Sequence, residues 1–293
     1  MTKTAWVFPG QGSQALGMGM DLLDIPAAKD KFAQAEAILG WSVTEICQTQ
    51  EEKLSQTLYT QPSLYVVESI LADLLRERGH QPDLVAGHSL GEYVALYVAG
   101  VFEWSAGLCL VKRRAELMDN ISGGMMAALM NFDREQLAKV IAETPDVVLA
   151  NDNSPAQVVI SGTADAVQAV MSQVKAKRAI PLKVSGAFHS HLIAAAAAEF
   201  QDVLQSVEFQ PAVVPVLSNI EPIPSIDAEI LKQRLNEQMT GSVRWREISL
   251  QLPANGIEQV IEIGPGKVLT GLIKRTSPDL ILKNISTAAD LPV

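Results

Sequence analysis

Apolar residues run through this chain in two rhythms. Short, mostly apolar runs at 4–8, 84–86 and 259–263 have the length and composition of strands. Each runs straight into glycine-rich sequence: Pro9-Gly10-Gln11-Gly12-Ser13-Gln14, Gly87-His88-Ser89-Leu90-Gly91 and Gly264-Pro265-Gly266-Lys267-Val268-Leu269. Longer stretches around 27–39, 61–79, 90–98 and 105–118 instead repeat apolar residues at helical spacing, the last opening on Ser105, a fair N-cap. Three glycine-rich junctions of this kind predict an open parallel α/β sheet whose loops gather at the carboxyl ends of the strands, where ligands bind.

From Gly123-Gly124 the texture tightens. Strands are predicted at 125–130, 147–150, 157–161 and 179–182, with helices at 133–143 and 164–175. The order β-α-β-β-α-β is the ferredoxin-like split pattern. The expected fold class is therefore α/β, a hydrolase-like open parallel-sheet core with an inserted small ferredoxin-like subdomain. The core takes 1–123 and 188–293 and the insert 124–187, with a substrate cleft between them. After the insert come Gly186-Ala187-Phe188-His189-Ser190-His191 and a helix of alanines and leucines to about residue 207.

The middle junction carries the first chemistry. A G-x-S-x-G between a strand and a helix is a candidate nucleophile elbow, in which small neighbours let the chain turn sharply and expose the Ser89 hydroxyl. The N–H of Leu90 would face an oxyanion, with the positive end of the following helix behind it. The alternative is an ordinary strand-to-helix turn. The loop at 9–14 lacks the lysine and spacing of a phosphate cradle, but its N–H groups can equally be offered to a substrate oxygen.

A serine hydroxyl needs a base, and histidine is the usual one. His80 sits in a polar loop, and His88 adjoins the serine on a turn where neighbours point apart. That leaves His189 and His191, of which His189 is favoured because His191 falls where the helix has begun. No Asp or Glu lies near them to complete a triad; Glu92, Glu103, Asp227, Glu258 and Glu262 read as solvated charges. A main-chain carbonyl can orient the imidazole instead. On a helical wheel, Arg114 falls inside the apolar arc formed by Leu108, Val111, Ala115 and Met118. A buried guanidinium needs an anion, either a carboxylate of the protein or that of a substrate.

Composition removes several classes. The 293 residues are 48% hydrophobic, enough for a large core, and the formal charge of −10 disfavours nucleic acid as a partner. The two cysteines, Cys47 and Cys109, suggest neither a disulfide framework nor a zinc site. A signal peptide and a bilayer-spanning run are not read, so a cytoplasmic setting with no membrane partner is expected. Nothing calls for more than a monomer.

Taken together in order, these motifs, with Asn151 to Pro155 and Glu262 to Lys267, resemble the malonyl-CoA:acyl-carrier-protein transacylase family over nearly the whole chain. The resemblance implies an acyltransferase that loads malonyl groups for fatty-acid synthesis. It further implies Ser89 as the acylated nucleophile, His189 as its base, and the N–H groups of Gln11 and Leu90 as the oxyanion hole. Arg114 would clamp the malonyl carboxylate, and the carbonyl of Arg244 would orient the histidine. Phe188, whose ring would crowd a methyl branch, and Asn153 would line the pocket.

No metal or bound cofactor is implied. The partners are malonyl-CoA and holo acyl carrier protein. An acidic carrier would need a basic patch, and 175–178 with Lys183, or Lys267 with Lys274 and Arg275, are on offer. The alternatives are a serine thioesterase or hydrolase acting on acyl-CoA, a malonyl loader of a polyketide pathway, and a carrier-binding protein without activity.

Overall fold

The computed structural model describes residues 2–292. Its core is a five-stranded sheet of β1 (Thr4–Phe8), β2 (Leu84–Gly87), β7 (Val216–Leu217), β8 (Gln259–Ile263) and β9 (Ile281–Ile285), in the order β7-β2-β1-β8-β9. Every pairing is parallel. The central strand shows why the sequence builds this sheet. Alternate side chains point to opposite faces: Trp6 and Phe8 enter the larger apolar cluster, and Ala5 and Val7 the smaller one on the other face. Helix Thr57–Glu77 covers the first face, and helices Trp245–Ala254 and Val268–Thr276 the second. Burying Trp6 or Phe8 contributes on the order of 2–3 kcal/mol each, so the periodicity of one five-residue strand fixes both layers.

The insert forms the second sheet, from β3 (Met125–Phe132), β4 (Val147–Ser154), β5 (Gln157–Gly162) and β6 (Ala176–Pro181), antiparallel in the order β4-β5-β3-β6. This is the ferredoxin-like order. Helices Arg134–Glu143 and Ala164–Gln173 pack on one face around Leu137, Val140, Val167 and Val170.

The end of β4 is tied to the core sheet's side of the molecule by main-chain bonds. The Val243 N–H donates to the Ala150 carbonyl (2.8 Å) and the Asp152 N–H to the Val243 carbonyl (2.9 Å). Asp152, 5% exposed, accepts from Arg134 beside it and from Arg246 across the junction at 2.8 Å.

The structure moves several predicted boundaries. The helix expected from Ser105 is Trp104–Asp119 with Glu103 at its N-cap, so Ser105 lies inside it while Trp104 is buried. The helix expected from 61 begins four residues earlier, at Thr57, with Pro62 inside it. β6 begins at Ala176, three residues before the predicted 179–182, and ends at Pro181: as a mostly exposed edge strand it carries little apolar pattern. No helix is long and apolar enough to cross a membrane among the described residues.

Candidate active site

β2 ends at Gly87 and helix Gly91–Val98 begins four residues later, with Ser89 at φ 52°. That positive φ is strained for a serine and aims its side chain out of the turn. Space fixes both flanking glycines. A Cβ on Gly87 would lie 1.9 Å from the Gly91 carbonyl, and one on Gly91 would lie 2.0 Å from the Phe8 carbonyl oxygen. Asn219, just beyond β7, holds the turn: its Oδ1 accepts from the Ser89 N–H (2.7 Å) and its Nδ2 donates to the Gly87 carbonyl (2.6 Å).

The structure brings His189, not His191, to the serine. Ser89 Oγ stands 2.8 Å from His189 Nε2, while His191 is exposed and lies 3.3 Å from Asp146. His189 Nδ1 is 2.9 Å from the Gln238 carbonyl and 3.2 Å from the Gly241 carbonyl. Carbonyl oxygens only accept, so the neutral ring carries its proton on Nδ1 and presents Nε2 as acceptor for the Ser89 O–H. Burial, with the Arg114 charge adding to it, pushes the His189 pKa down to about 3, so the ring is neutral near pH 7.

The orienting carbonyl corrects the expectation for Arg244. Its carbonyl accepts the Ile248 N–H at 3.0 Å in the first turn of helix Trp245–Ala254, and its side chain pairs with Glu247. Helix Ala228–Gln238 ends beside the histidine, and the last carbonyls of a helix have no partner within it. His189 uses one of these, the Gln238 carbonyl, together with the Gly241 carbonyl three residues past the helix end.

Arg114 is fully buried in helix Trp104–Asp119. Its Nη1 donates to Gln61 Oε1 (2.8 Å), and its Nη2 to Ser89 Oγ (3.0 Å) and Gln238 Oε1 (3.2 Å). The guanidinium lies over the Tyr93 ring, 5.3 Å from its centre. The internal salt bridge is absent: no carboxylate lies within 4.0 Å of it among the described residues.

Gln11 and Leu90 line the same cavity of about 480 Å³, with Ser89, His189, Phe188 and Asn153. Neither the Gln11 nor the Leu90 main-chain N–H donates to another protein group among the described residues. A Cβ on Gly10 would fall 2.4 Å from the His88 carbonyl oxygen, so the first glycine loop abuts the elbow. His88 turns away from the serine; its Nε2 lies 2.8 Å from Asn153 Oδ1, and its ring packs beside Trp245 at 5.6 Å.

Four residues were not singled out by sequence reasoning as site residues: Gln61, Asn219, Gln238 and Glu92. The first three are neutral amides scattered over the chain. Glu92, read as solvated, is 1% exposed, and Glu262, read the same way, is fully buried, accepting from the N–H groups of Leu269 and Thr270.

A neutral histidine bonded to a strained serine, unspent N–H groups beside them and a buried cation without an anion define a serine-nucleophile site of the acyl-transfer class. The acyl transferase domain family matches residues 5–292, and the chain belongs to that family. It is 61% identical over 289 residues to the malonyl CoA-acyl carrier protein transacylase of a Synechocystis species, covering 99% of both chains. A crystal structure of the Synechocystis enzyme superposes with a TM-score of 0.97 at 60% identity, covering 99% of each chain. A malonyl-transacylase solved with a type II polyketide acyl-carrier protein superposes with a TM-score of 0.93 at 37% identity, covering 99% of this chain and 98% of that one.

Proposed function

We propose that the protein moves a malonyl group from malonyl-CoA to the phosphopantetheine thiol of acyl carrier protein, supplying fatty-acid synthesis, through an ester on Ser89. His189 Nε2 takes the Ser89 proton as Oγ attacks the thioester carbonyl. The N–H groups of Gln11 and Leu90 receive the oxyanion, and the C–S bond breaks as His189 returns the proton to the CoA sulfur. The carrier thiol then gives its proton to His189, attacks the ester and releases Ser89. Each half-reaction is proton-neutral overall. The carbonyls of Gln238 and Gly241 stabilise the imidazolium in between.

The observation that carries this reading is Arg114, a fully buried cation 3.0 Å from Ser89 Oγ with no carboxylate in contact. A malonyl group offers the missing anion at the right distance from its own thioester. Phe188 forms part of the wall beside it.

For carrier docking we favour Lys183, exposed at the cavity mouth, with Lys177 and Arg178 on the exposed edge strand β6 leading to it. One chain supplies every group of the site, which supports action as a monomer. The free cysteines, Cys47 and Cys109, support a reducing, cytoplasmic setting. The two sheets support the division into a core at 1–123 and 188–293 and a subdomain at 124–187.

Replacing Arg114 separates this from other acyl chemistry. Arg114→Ala removes a charge-assisted contact of about 3 kcal/mol, so kcat/KM for malonyl-CoA is expected to fall on the order of 10²-fold. Transfer of an acetyl group, which has no carboxylate to hold, is expected to survive or rise. Equal losses for both acyl groups would overturn the clamp.

A further inference from the structure

Glu92 lies three residues beyond Ser89, in the first turn of helix Gly91–Val98, and is 1% exposed. No lysine or arginine nitrogen lies within 4.0 Å of it among the described residues. Its Oε2 accepts from the Asn219 N–H at 3.1 Å and from Gln238 Nε2 at 2.8 Å, and its Oε1 has no partner. This is a setting for a carboxylate. A proton on Oε2 would confront two donors, and the buried Ser218 hydroxyl beside the carboxylate is a further group that can donate to it. Burial holds the Glu92 pKa above the ordinary carboxylate value, while the donors from Gln238, Asn219 and Ser218 and the Arg114 charge pull it back.

Arg114 presents the complementary problem, a buried cation without an anion. Between the two stands the Gln238 amide. Its Nε2 donates to Glu92 and its Oε1 accepts from Arg114 Nη2. A second bond from Nε2 to the Ser89 carbonyl (2.8 Å) fixes which way round the amide sits. Contact between Glu92 and Arg114 would satisfy both charges but fill the guanidinium. Two isolated buried charges would each carry a large desolvation penalty.

We propose that Glu92 is the counter-ion of Arg114 at one remove, a positioning residue that balances the guanidinium through the Gln238 amide and leaves it open to the substrate carboxylate. The inference rests on Arg114 as the carboxylate clamp. It implies that Glu92 also weakens the hold of Arg114 on anions in general, so that free carboxylates do not block the site between turnovers.

The test is inhibition of malonyl transfer by free malonate at fixed ionic strength, for wild type, Glu92→Gln, Arg114→Ala and the double variant. Glutamine keeps an oxygen to accept from Asn219 and Gln238, removes the charge and puts an NH2 in the place of Oε1. Glu92→Gln is expected to tighten malonate inhibition about tenfold or more, as loss of a nearby negative charge inside a protein should. Both Arg114→Ala variants should lose it. Unchanged or weaker inhibition in Glu92→Gln overturns the counter-ion role while leaving the clamp standing. Inhibition that persists unaltered in Arg114→Ala overturns the clamp, and the counter-ion role with it.

A merely structural Glu92 would lower stability without tightening anion binding. Should Glu92→Gln fail to fold, difference infrared spectroscopy of Arg114→Met against wild type reads the same coupling. The spectrum should gain one protonated buried carboxyl near pH 7, and no gain overturns the proposal.

Discussion

His189 shows how a single environment sets the chemistry of a residue. Its pKa is lowered from about 6.5 to about 3, first by burial and then by the Arg114 charge. The free enzyme's base therefore stays neutral well into acid, and kcat/KM for malonyl-CoA is expected to run flat through pH 6.5. A descending limb centred there would contradict the assignment. The linked effect on stability has a definite sign. Between about pH 3 and 6.5 the unfolded chain binds a proton at this histidine that the folded chain does not, so stability rises with pH across that window. Denaturant titrations at pH 5 and 7 on wild type and His189→Gln would show it as a shallower pH slope in the variant.

Ser89, His189 and Arg114 could be picked out in the sequence because a short motif or one helical wheel exposes each. Gln238 and Asn219 could not. They act through one carbonyl or one amide, and only the folded chain brings them to the elbow.

At the scale of elements, three glycine-rich turns at strand ends place the site, and at Gly10, Gly87 and Gly91 the glycine is there for space. Gly91→Ala would push a Cβ to 2.0 Å from the Phe8 carbonyl, forcing β1 and the elbow apart. A loss of about 3 kcal/mol or more is expected in urea unfolding, together with loss of Ser89 acylation. Gly271, inside helix Val268–Thr276, has open space where a Cβ would stand, with nothing within 4 Å, so Gly271→Ala should stabilise by about 0.5–1 kcal/mol. Similar effects from both substitutions would contradict the packing argument.

Elements buried on both faces, such as β1 and β8, announce themselves as apolar runs. β7 has only two residues, and β9 alternates exposed and half-buried positions, so neither stands out from loop sequence. Helix Ala228–Gln238, whose end orients the histidine, is polar over most of its surface and was equally illegible.

At the scale of the molecule, the proposed docking surface is a local basic exception on a chain of formal charge −10. Lys183, Lys177 and Arg178 lie on the small subdomain at and beside the cavity mouth, so charge reversal there should act on encounter with the carrier rather than on acylation. For Lys183→Glu, KM for the carrier is expected to rise several-fold with a weaker salt dependence, while the rate of malonylation from CoA holds. A loss confined to the acylation half-reaction would move the docking surface elsewhere.

The β4 end is bonded to Val243, and Ser89, His189 and Arg114 line one cavity together with residues of both sheets. Everything proposed for the site turns on Ser89 taking a malonyl group and giving it to a carrier thiol. Intact-protein mass spectrometry of wild type and Ser89→Ala tests it, after brief mixing with malonyl-CoA and then with holo acyl carrier protein. A malonyl adduct is expected on wild type alone, discharged onto the carrier faster than into water. An adduct that persists in Ser89→Ala, or one lost to water at the same rate with or without carrier, would contradict it.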